Sequence, residues 1–306
     1  ARLMIGELIT VPESKPPAGV GSTTLLEIEN LTYRNSGVTI LDGISLKLNA
    51  GEIAGIAGVD GNGQTELVEA LAGGEELGEG LRTPFSFVLE LVRFVPGVGF
   101  FVRLLKLLDL LFELFPAGSG ARRVSAGTFQ LAGGAAENSM AVIPQDRDLD
   151  GLILDMQLWE NLLLAKPLRA RVSRNGWIDV AGARDLCRDV LASFRIRASG
   201  PEAKASSLSG GNRQRLEVAR AMTQKPRVLV AHNVTRGLDL AATAEVHRIL
   251  VKFAADGGAV LLVSSDLDEL LAIATRLFVI SRGKIRETDP RDRSPEKLGL
   301  MMAGRG

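Results

Sequence analysis

Residues 53–73 read IAGIAGVDGNGQTELVEALAG, an apolar run followed by a glycine-rich turn and then an amphipathic helix. A strand, a glycine turn and a helix in this order are typical of a phosphate-binding loop, in which backbone N–H groups at the helix start face an anion. The pattern G-x-x-x-x-G-K-[ST] is met at Gly58, Gly63 and Thr65. Gln64, however, stands where the pattern has its lysine. The turn alone therefore predicts either a nucleotide site that has lost its cation or a plain strand-to-helix connection.

The bulk composition predicts a globular protein and says little about its partners. The chain has 306 residues, of which 46% are hydrophobic, enough for one large α/β domain or two ordinary ones. Lys plus Arg and Asp plus Glu are equal at 36 each, so no basic field indicates nucleic acid. The single cysteine, Cys187, excludes an internal disulfide and a multi-cysteine zinc site and favours a cytosolic location. Because no run of 18 or more uncharged apolar residues occurs, the sequence predicts no membrane span.

Apolar strands alternate with helices along most of the chain. A strand is predicted at MAVIPQ, residues 140–145, and a mostly helical stretch from about Leu158 to Phe194. Further on, RVLVAHNV, AVLLVSS and RLFVIS are apolar runs separated by helical patterns. This alternation predicts an α/β fold with a parallel sheet covered by helices.

Three further motifs follow in order. LSGGN at 208–212 directly precedes a helix, TRGLD at 235–239 follows an apolar strand, and LLVSSDLDEL lies at 261–270. Together with the glycine turn, they resemble the ATP-binding subunits of ABC transporters. The stretches GVDGNGQTELVEALAG, VIPQDRDLDGLILDMQLWENLLL and TRGLDL more closely resemble the second half of the tandem subunits of simple-sugar and nucleoside importers. Among these importers, the lysine-free loop favours the nucleoside branch.

The resemblance implies a P-loop NTPase-like ABC ATPase domain with a parallel-sheet core, an antiparallel β arm and a helical subdomain. The expected ranges are 1–24 for a linker or the tail of a preceding domain, 25–290 for the ABC ATP-binding domain, about 145–205 for its helical subdomain and 291–306 for a C-terminal tail. A preceding copy of the domain is suggested by LMIG at 3–6, which echoes MMAG at 301–304.

Residues 75–120 interrupt the resemblance with a strongly apolar stretch that has no counterpart in the family. The pattern predicts two helices joined by PGVG at 96–99, and helices so apolar need burial. Three interpretations stay open: a hairpin packed on its own domain or between subunits, an interfacial helix pair on the membrane or permease, and a reading-frame fault in the source gene.

The resemblance also implies the residues of an ATP site. Backbone N–H groups of the glycine turn would cradle phosphates, because that role needs loop geometry and a helix start, not a side-chain charge. Thr65 and Gln145 occupy the positions that contact Mg²⁺ in the family. The adenine-stacking position is Asn35, and Tyr33 could substitute only if the loop shifts. The set expected to bind nucleotide is Gly58, Gly61, Asn62, Gly63, Gln64, Thr65 and Gln145.

Four positions depart from the family in ways that predict poor hydrolysis. Gln64 replaces the lysine and cannot neutralise the charge that develops on the transferring phosphoryl group. His232 and Asn233 replace the magnesium-holding aspartate and the catalytic glutamate. A histidine is a poor ligand for a hard cation, and an amide cannot accept the proton of water. Ser265 replaces the switch histidine.

The intact motifs predict a role in the site of another domain. In ABC proteins two ATP-binding domains meet head to tail, and each ATP lies between one phosphate loop and the LSGG segment of the other domain. The signature residues expected to act in trans are Ser209, Gly210, Gly211 and Asn212, accompanied by Asp239 of the D-loop. The implied partners are a second ATP-binding half, transmembrane permease subunits and, indirectly, a substrate-binding protein, with no nucleic acid.

These features predict the catalytically degenerate half of an importer for nucleosides or simple sugars, peripheral on the cytoplasmic face of the cell membrane. The alternative is a non-hydrolysing ABC-domain regulator or scaffold that takes no part in transport. A soluble ABC ATPase acting on ribosomes or DNA is disfavoured, because such proteins depend on carboxylates that this chain lacks. His247, in EVHRIL, is expected to be a surface or packing residue of its helix.

Overall fold

The computed structural model describes residues 23–35, 38–73, 124–131, 140–146, 151–174, 177–289 and 293–304, with the backbone alone for 124–131. Of the linker predicted at 1–24, residues 1–22 lie outside the described residues, whereas Thr24 already belongs to a strand; the apolar insertion at 75–120 also lies outside them. What the sequence indicates for these two stretches therefore stays a prediction.

Strands and helices alternate along the described chain. The strands are β1 (Thr24–Asn35), β2 (Val38–Asn49), β3 (Ile53–Ala57), β4 (Val124–Leu131), β5 (Met140–Ile143), β6 (Ser173–Arg174), β7 (Trp177–Ile178), β8 (Val228–His232), β9 (Ala259–Ser264), β10 (Arg276–Ser281) and β11 (Lys284–Glu287). The helices are α1 (Gln64–Gly73), α2 (Leu158–Leu163), α3 (Lys166–Arg171), α4 (Val180–Ser193), α5 (Gly210–Thr223), α6 (Leu240–Ala255), α7 (Leu267–Ile273) and α8 (Pro295–Met302).

The central sheet runs in the order β11-β10-β3-β9-β8-β5. Its strands are parallel except β11, which pairs antiparallel with β10 at the edge. Every residue of β3, β8 and β9 is buried, which explains why these stretches are apolar throughout instead of alternating. Ala57 pairs with Ser264 and His232 pairs with Val263, so the carboxyl ends of β3, β8 and β9 lie side by side. The loops after these three strands therefore leave the sheet at the same end.

A second sheet, β2-β1-β4, is antiparallel and forms the predicted arm. A turn at Ala50 and Gly51 separates β2 from β3, and Gly51 there takes φ +81°. A positive φ costs little only for glycine, so the chain passes there from the arm into the central sheet. Leu41 of β2 and Ile56 of β3 are buried in one apolar cluster, which joins the arm to the core.

The described residues include three apolar clusters. One lies between the arm, α1 and one face of the central sheet, a second covers the opposite face with residues of α5 to α8, and a third fills the helical subdomain around Trp159. Leu298 and Met302 of α8 are buried in the second cluster. Burial of such a side chain contributes about 1.5–3 kcal/mol. Part of the stretch predicted as a C-terminal tail is therefore a packed helix.

The helical subdomain includes α2, α3 and α4 together with the short hairpin of β6 and β7, so the stretch predicted as mostly helical also contains two short strands. Asn161 holds the segment that enters it. Its Oδ1 accepts from Ile153 N at 2.8 Å, and its Nδ2 donates to Ile153 O at 3.0 Å and to Gln157 O at 3.1 Å.

Among the residues described, none of the helices has the length and hydrophobicity of a membrane span.

Candidate nucleotide-binding site

The glycine turn after β3 has a conformation that larger residues would strain. A Cβ added to Gly58 would lie 2.5 Å from Gln64 Nε2. Gly61 and Gly63 take φ values of +88° and +105°. A Cβ on Gly63 would meet Leu41 Cδ2 at 2.6 Å, whereas one on Gly61 would meet no atom of the described part of the chain within 4 Å. The turn is thus closed against the arm at Gly63 and open at Gly61, which leaves room for an anion to approach the backbone.

Gln64 begins α1 and folds its side chain back into the turn. Its Nε2 donates to Val59 O at 2.8 Å, and the residue is 5% exposed. Its Oε1 is buried and has no hydrogen-bond partner among the described residues. This amide carries no charge, and one of its two N–H groups is used by the turn itself. The residue at the lysine position therefore stabilises the loop and cannot act as a cation.

The turn fits the phosphates of a nucleotide better than it fits a dedicated Mg²⁺ site. The first amides of α1 have no carbonyl one turn earlier to bind and are available to an anion. Thr65 is exposed at the second residue of α1, and Gln145 is half-buried just after β5. This pair offers a hard cation one hydroxyl and one amide oxygen, both neutral, and no carboxylate. Within the described ranges, no His, Cys, Asp and Glu side chains cluster as metal ligands do.

His232 ends β8 with 4% of its surface exposed. Burial lowers the pKa of its imidazole to about 4, against the opposing field of Asp60. His232 is therefore neutral at pH 7 and does not replace the charge that is missing at Gln64. Its nitrogen is also the wrong kind of donor for Mg²⁺, which prefers oxygen.

Asn233 and Ser265 are brought into direct contact. Asn233 has φ +47°, a left-handed conformation that asparagine tolerates better than most residues. Its Oδ1 accepts from Ser265 N at 2.9 Å and lies 3.4 Å from Ser265 Oγ. The pairing of His232 with Val263 places the ends of β8 and β9 side by side and so explains the contact. The residues at the predicted base and switch positions therefore bind each other.

Sequence reasoning missed a buried carboxylate behind this contact. Glu269 of α7 is 4% exposed, and it accepts from Ser264 Oγ at 2.6 Å and from Thr235 Oγ1 at 2.8 Å. His247 Nε2 lies 3.3 Å from Glu269 Oε1, so His247 is a buried packing residue and not a surface one. Glu269 thus joins α6, α7, the loop after β8 and the last residue of β9. The sequence SSDLDEL indicated only a helix cap, which Asp266 supplies by accepting from Asp268 N and Glu269 N.

The LSGGN segment lies at the start of α5 with Ser209 exposed at the N-cap. Ser209 does not cap the helix with its hydroxyl. Asn212 Nδ2 donates to Ser209 Oγ at 3.0 Å, and Asn212 Oδ1 accepts from Arg197 N at 3.1 Å. Because Ser209 Oγ accepts from Asn212, its own hydrogen can point away and donate to an anion. Gly210 and Gly211 begin a helix of 14 residues, whose first amides have no intrahelical acceptor.

The start of α6 lies beside the start of α5. A Cβ on Gly211 would be 3.8 Å from Ala242 Cβ. Asp239 is exposed and caps α6 by accepting from Ala242 N at 2.8 Å. The signature segment at the start of α5 and Asp239 at the start of α6 are therefore neighbours on the surface. Both lie far from the glycine turn in the sequence.

Asn35, at the position that the sequence predicts to stack on adenine, is not an aromatic residue. Asn35 is exposed at the end of β1, and Tyr33 is 6% exposed within the apolar cluster between the arm and the central sheet. Tyr33 is therefore committed to the core, and the substitution considered from the sequence would need it to leave that cluster.

Comparison with known proteins assigns the family. The family model described as ABC transporter matches residues 107–236. The chain is also 32% identical over 308 residues to the nucleoside import ATP-binding protein NupA of Lactococcus lactis subsp. cremoris, an alignment that covers 99% of this chain and 53% of that protein. Residues 107–236 therefore belong to the ABC transporter family. The importer resemblance inferred from the sequence motifs is thereby confirmed.

Two further relatives of this ABC domain have import functions in their names. It is 30% identical over 315 residues to the guanosine import ATP-binding protein NupO of Bacillus subtilis, with 99% of this chain and 52% of the relative covered. It is 31% identical over 317 residues to the ribose import ATP-binding protein RbsA of a Jannaschia species, with 100% and 51% covered. The chain thus spans about half the length of the curated relatives it matches.

Solved structures share the fold of this ABC domain. A nucleotide-free ATP-binding cassette from an ABC transporter aligns with a TM-score of 0.58 and 16% identity over 92% of this chain and 96% of its own. The ADP conformation of another such cassette aligns with a TM-score of 0.58 and 18% identity over the same shares. The predicted ABC ATPase fold, with its parallel core, antiparallel arm and helices, is confirmed.

Proposed function

We propose that this chain is a catalytically degenerate ATP-binding half of an ABC importer. It binds ATP at the glycine turn without rapid hydrolysis and supplies its LSGGN segment to an ATP held by another half. The observation that carries this proposal is the contrast between two surfaces of one domain. At the glycine turn the residues at catalytic positions are neutral and bound to the protein itself, whereas Ser209 is exposed and held with a hydrogen free to donate.

The degenerate site keeps what binding needs and lacks what hydrolysis needs. Binding phosphates requires glycine geometry and free amides at a helix start, and Gly61, Gly63 and α1 supply these. Phosphoryl transfer is accelerated by positive charge on the phosphates and by a group that orients and deprotonates water. Gln64 and His232 are uncharged at neutral pH, and Asn233 Oδ1 is occupied by Ser265. Slow turnover follows, with Thr65 and Gln145 as the residues nearest to a shared, weak Mg²⁺ site.

The cargo and the partners follow from the relatives. Their names assign import of nucleosides, guanosine and ribose, and the lysine-free GNGQTE loop favours a nucleoside over a simple sugar for this chain. An importer of this kind needs a competent ATP-binding half, permease subunits in the membrane and a substrate-binding protein that delivers the cargo. The chain would then act as a peripheral protein at the cytoplasmic face of the membrane.

The proposal is tested by ATP binding and phosphate release, measured for the whole chain alone and then with a competent ABC half. Alone, the chain is expected to bind ATP and release phosphate at background rates. With the competent half, turnover is expected to rise, and Ser209→Ala should lower the stimulated rate by about 10²-fold, the scale for losing one donor to a transition state. Ser206→Ala, which removes an exposed hydroxyl three residues earlier, is the matched control and should leave turnover unchanged.

Three results would overturn the proposal. Rapid hydrolysis by the purified chain alone would mean that its own site is competent. Equal stimulation by the wild type and by Ser209→Ala would mean that the LSGGN segment serves no ATP. A chain that neither binds nucleotide nor stimulates a partner would instead match the regulator or scaffold alternative.

A further inference from the structure

Asn62, in the middle of the glycine turn, is bound to two segments from the far end of the chain. Its Oδ1 accepts from Arg282 N at 3.0 Å, and its backbone oxygen accepts from Gly283 N at 3.1 Å. Its Nδ2 donates to Met302 O at 3.3 Å. Both polar atoms of this side chain are therefore used within the protein, by the β10–β11 turn on one side and by the end of α8 on the other.

The β10–β11 turn is itself tightly fixed. A Cβ on Gly283 would lie 2.0 Å from Ile40 O, and Asp42 N donates to Gly283 O at 2.8 Å, so this turn sits directly on β2. Gly63, next to Asn62, is closed against Leu41 of the same strand. The glycine turn and the β10–β11 turn thus rest side by side on β2, and Asn62 is the residue that ties them together.

The contact with α8 satisfies a helix end. The last carbonyls of a helix have no intrahelical donor, and Met302 O is one of these. The α8 helix is seated on the central sheet through Leu298 and Met302, which are buried in the same cluster as Leu277 and Val279 of β10. Beyond it, Gly304 takes φ +71° and lies close enough to Arg282 that an added Cβ would be 3.3 Å from Nε. The end of α8 therefore lies against both the glycine turn and the turn that Asn62 grips.

We propose that Asn62 is a positioning residue that couples occupancy of the glycine turn to the seating of α8. An anion bound by the turn's backbone amides fixes the backbone at Asn62, and this in turn fixes the donor that reaches Met302 O. The coupling is reciprocal, because a helix end that holds Asn62 in place also keeps the turn in the conformation that binds an anion. The inference rests on the proposed function only for the identity of the anion, the phosphates of a nucleotide.

The test is amide hydrogen exchange of the whole chain, read in peptides that cover residues 295–304, without and with ADP. Asn62→Ala removes both side-chain contacts. Asn62→Asp keeps an acceptor for Arg282 N but loses the donor to Met302 O. Without nucleotide, both variants are expected to exchange about 2- to 10-fold faster than the wild type in these peptides, the range for the loss of one hydrogen bond. Asp60→Ala, an exposed change in the same turn, is the control and should exchange as the wild type does.

The effect of ADP on amide exchange separates coupling from a purely structural role of Asn62, because a structural role would not make this effect depend on Asn62. In the wild type, ADP should slow exchange at 295–304, and in Asn62→Ala this protection should be lost while peptides of β8 exchange as before. Unchanged exchange at 295–304 in both variants without ADP would overturn the inference, as would equal protection by ADP in the wild type and in Asn62→Ala. A wild type that does not bind ADP would contradict the proposed function, while the comparison without nucleotide would still decide the role of Asn62.

Discussion

Asn233 Oδ1 accepts a hydrogen bond from the backbone amide of Ser265 at 2.9 Å, with Ser265 Oγ 3.4 Å away. The sequence motifs predict that these residues occupy the positions of a catalytic glutamate and a switch histidine, and the structure shows the two bound to each other. The contact closes the loop after β8 onto the loop after β9. Restoring the family residue at only one of these two positions would leave a residue at the other position that cannot take the catalytic role.

We therefore expect Asn233→Glu to leave ATP hydrolysis at background. A carboxylate at 233 could accept a proton, but Gln64 and the neutral His232 supply no positive charge to the phosphates. The change should also lower the free energy of unfolding by about 1 kcal/mol, because glutamate tolerates the left-handed backbone less well than asparagine. Phosphate release and urea denaturation measure the two effects.

The matched comparison is a variant that combines Gln64→Lys, His232→Asp, Asn233→Glu and Ser265→His. This variant should hydrolyse ATP at least about tenfold faster than Asn233→Glu alone, since charge and base are restored together. Turnover by Asn233→Glu alone at the rate of the combined variant would show that the lost charges are not what limits this site.

Asn212 is expected to act on the partner's ATP through Ser209. Asn212→Asp keeps the acceptor for Arg197 N but replaces the donor to Ser209 Oγ with a second acceptor. Stimulated phosphate release with a competent half should fall about tenfold, the scale of one hydrogen bond lost to a charged group. The melting temperature should change little, because Ser209 is exposed and Asn212 is only half-buried. A full rate with Asn212→Asp would mean that Ser209 needs no such support.

The strand, glycine turn and helix at 53–73 could be predicted because each element has a local signal. The apolar run, the glycines and the helical pattern are adjacent in the chain, and the structure places them as β3, the turn and α1. The start of α5 was predictable for the same reason, since LSGGN lies next to the helix that it begins. The parallel sheet followed from the buried, unbroken apolar runs of β8 and β9.

The contacts that hold these elements could not be predicted. Glu269 meets Thr235, 34 residues earlier, and Asn62 meets Met302, 240 residues later, and both contacts depend on the order of strands in the central sheet. In sequence, Glu269 is only one acidic residue in a helix start, and the end of α8 looks like a tail. Burial and partners across the sheet give these residues their roles, and neither is written in the local pattern.

Because Glu269 is buried and accepts several hydrogen bonds, replacing its carboxylate should lower the free energy of unfolding. Glu269→Gln keeps the shape but leaves an amide NH₂ facing donors from Ser264, Thr235 or His247. The free energy of unfolding should fall by about 1–3 kcal/mol, the penalty for a mismatched buried polar group. Asp268→Asn, an exposed change one residue earlier, should alter it by no more than about 1 kcal/mol. Equal denaturation midpoints for both variants would contradict the role given to Glu269.

Arg276 should be a larger stabilising group than its partial exposure suggests. It binds Glu52 Oε1 at 2.8 Å, Lys47 O at 3.0 Å and both oxygens of Glu287 at 2.8 Å. Hydrogen bonding to Arg276 lowers the pKa of Glu287 below its ordinary value. Glu52 is fully buried, so Arg276→Met removes the cation that pairs with its carboxylate and should cost about 3–5 kcal/mol. Glu287→Gln, which removes only the exposed partner, should cost about 1 kcal/mol or less in the same denaturation experiment.

His232 predicts a loss of stability in mild acid. In the unfolded chain its imidazole takes up a proton near its ordinary pKa of 6.5, whereas burial holds the folded pKa at about 4. Between these values the unfolded state binds more protons, so the free energy of unfolding falls as the pH drops from 6.5 toward 4, by about 3 kcal/mol in total. His232→Gln removes this contribution and keeps a polar side chain of similar size. As the pH is lowered from 7 to 4.5, the free energy of unfolding measured in urea should therefore fall more for the wild type than for His232→Gln. A constant difference across that range would mean that His232 is protonated equally easily in the folded and unfolded chains.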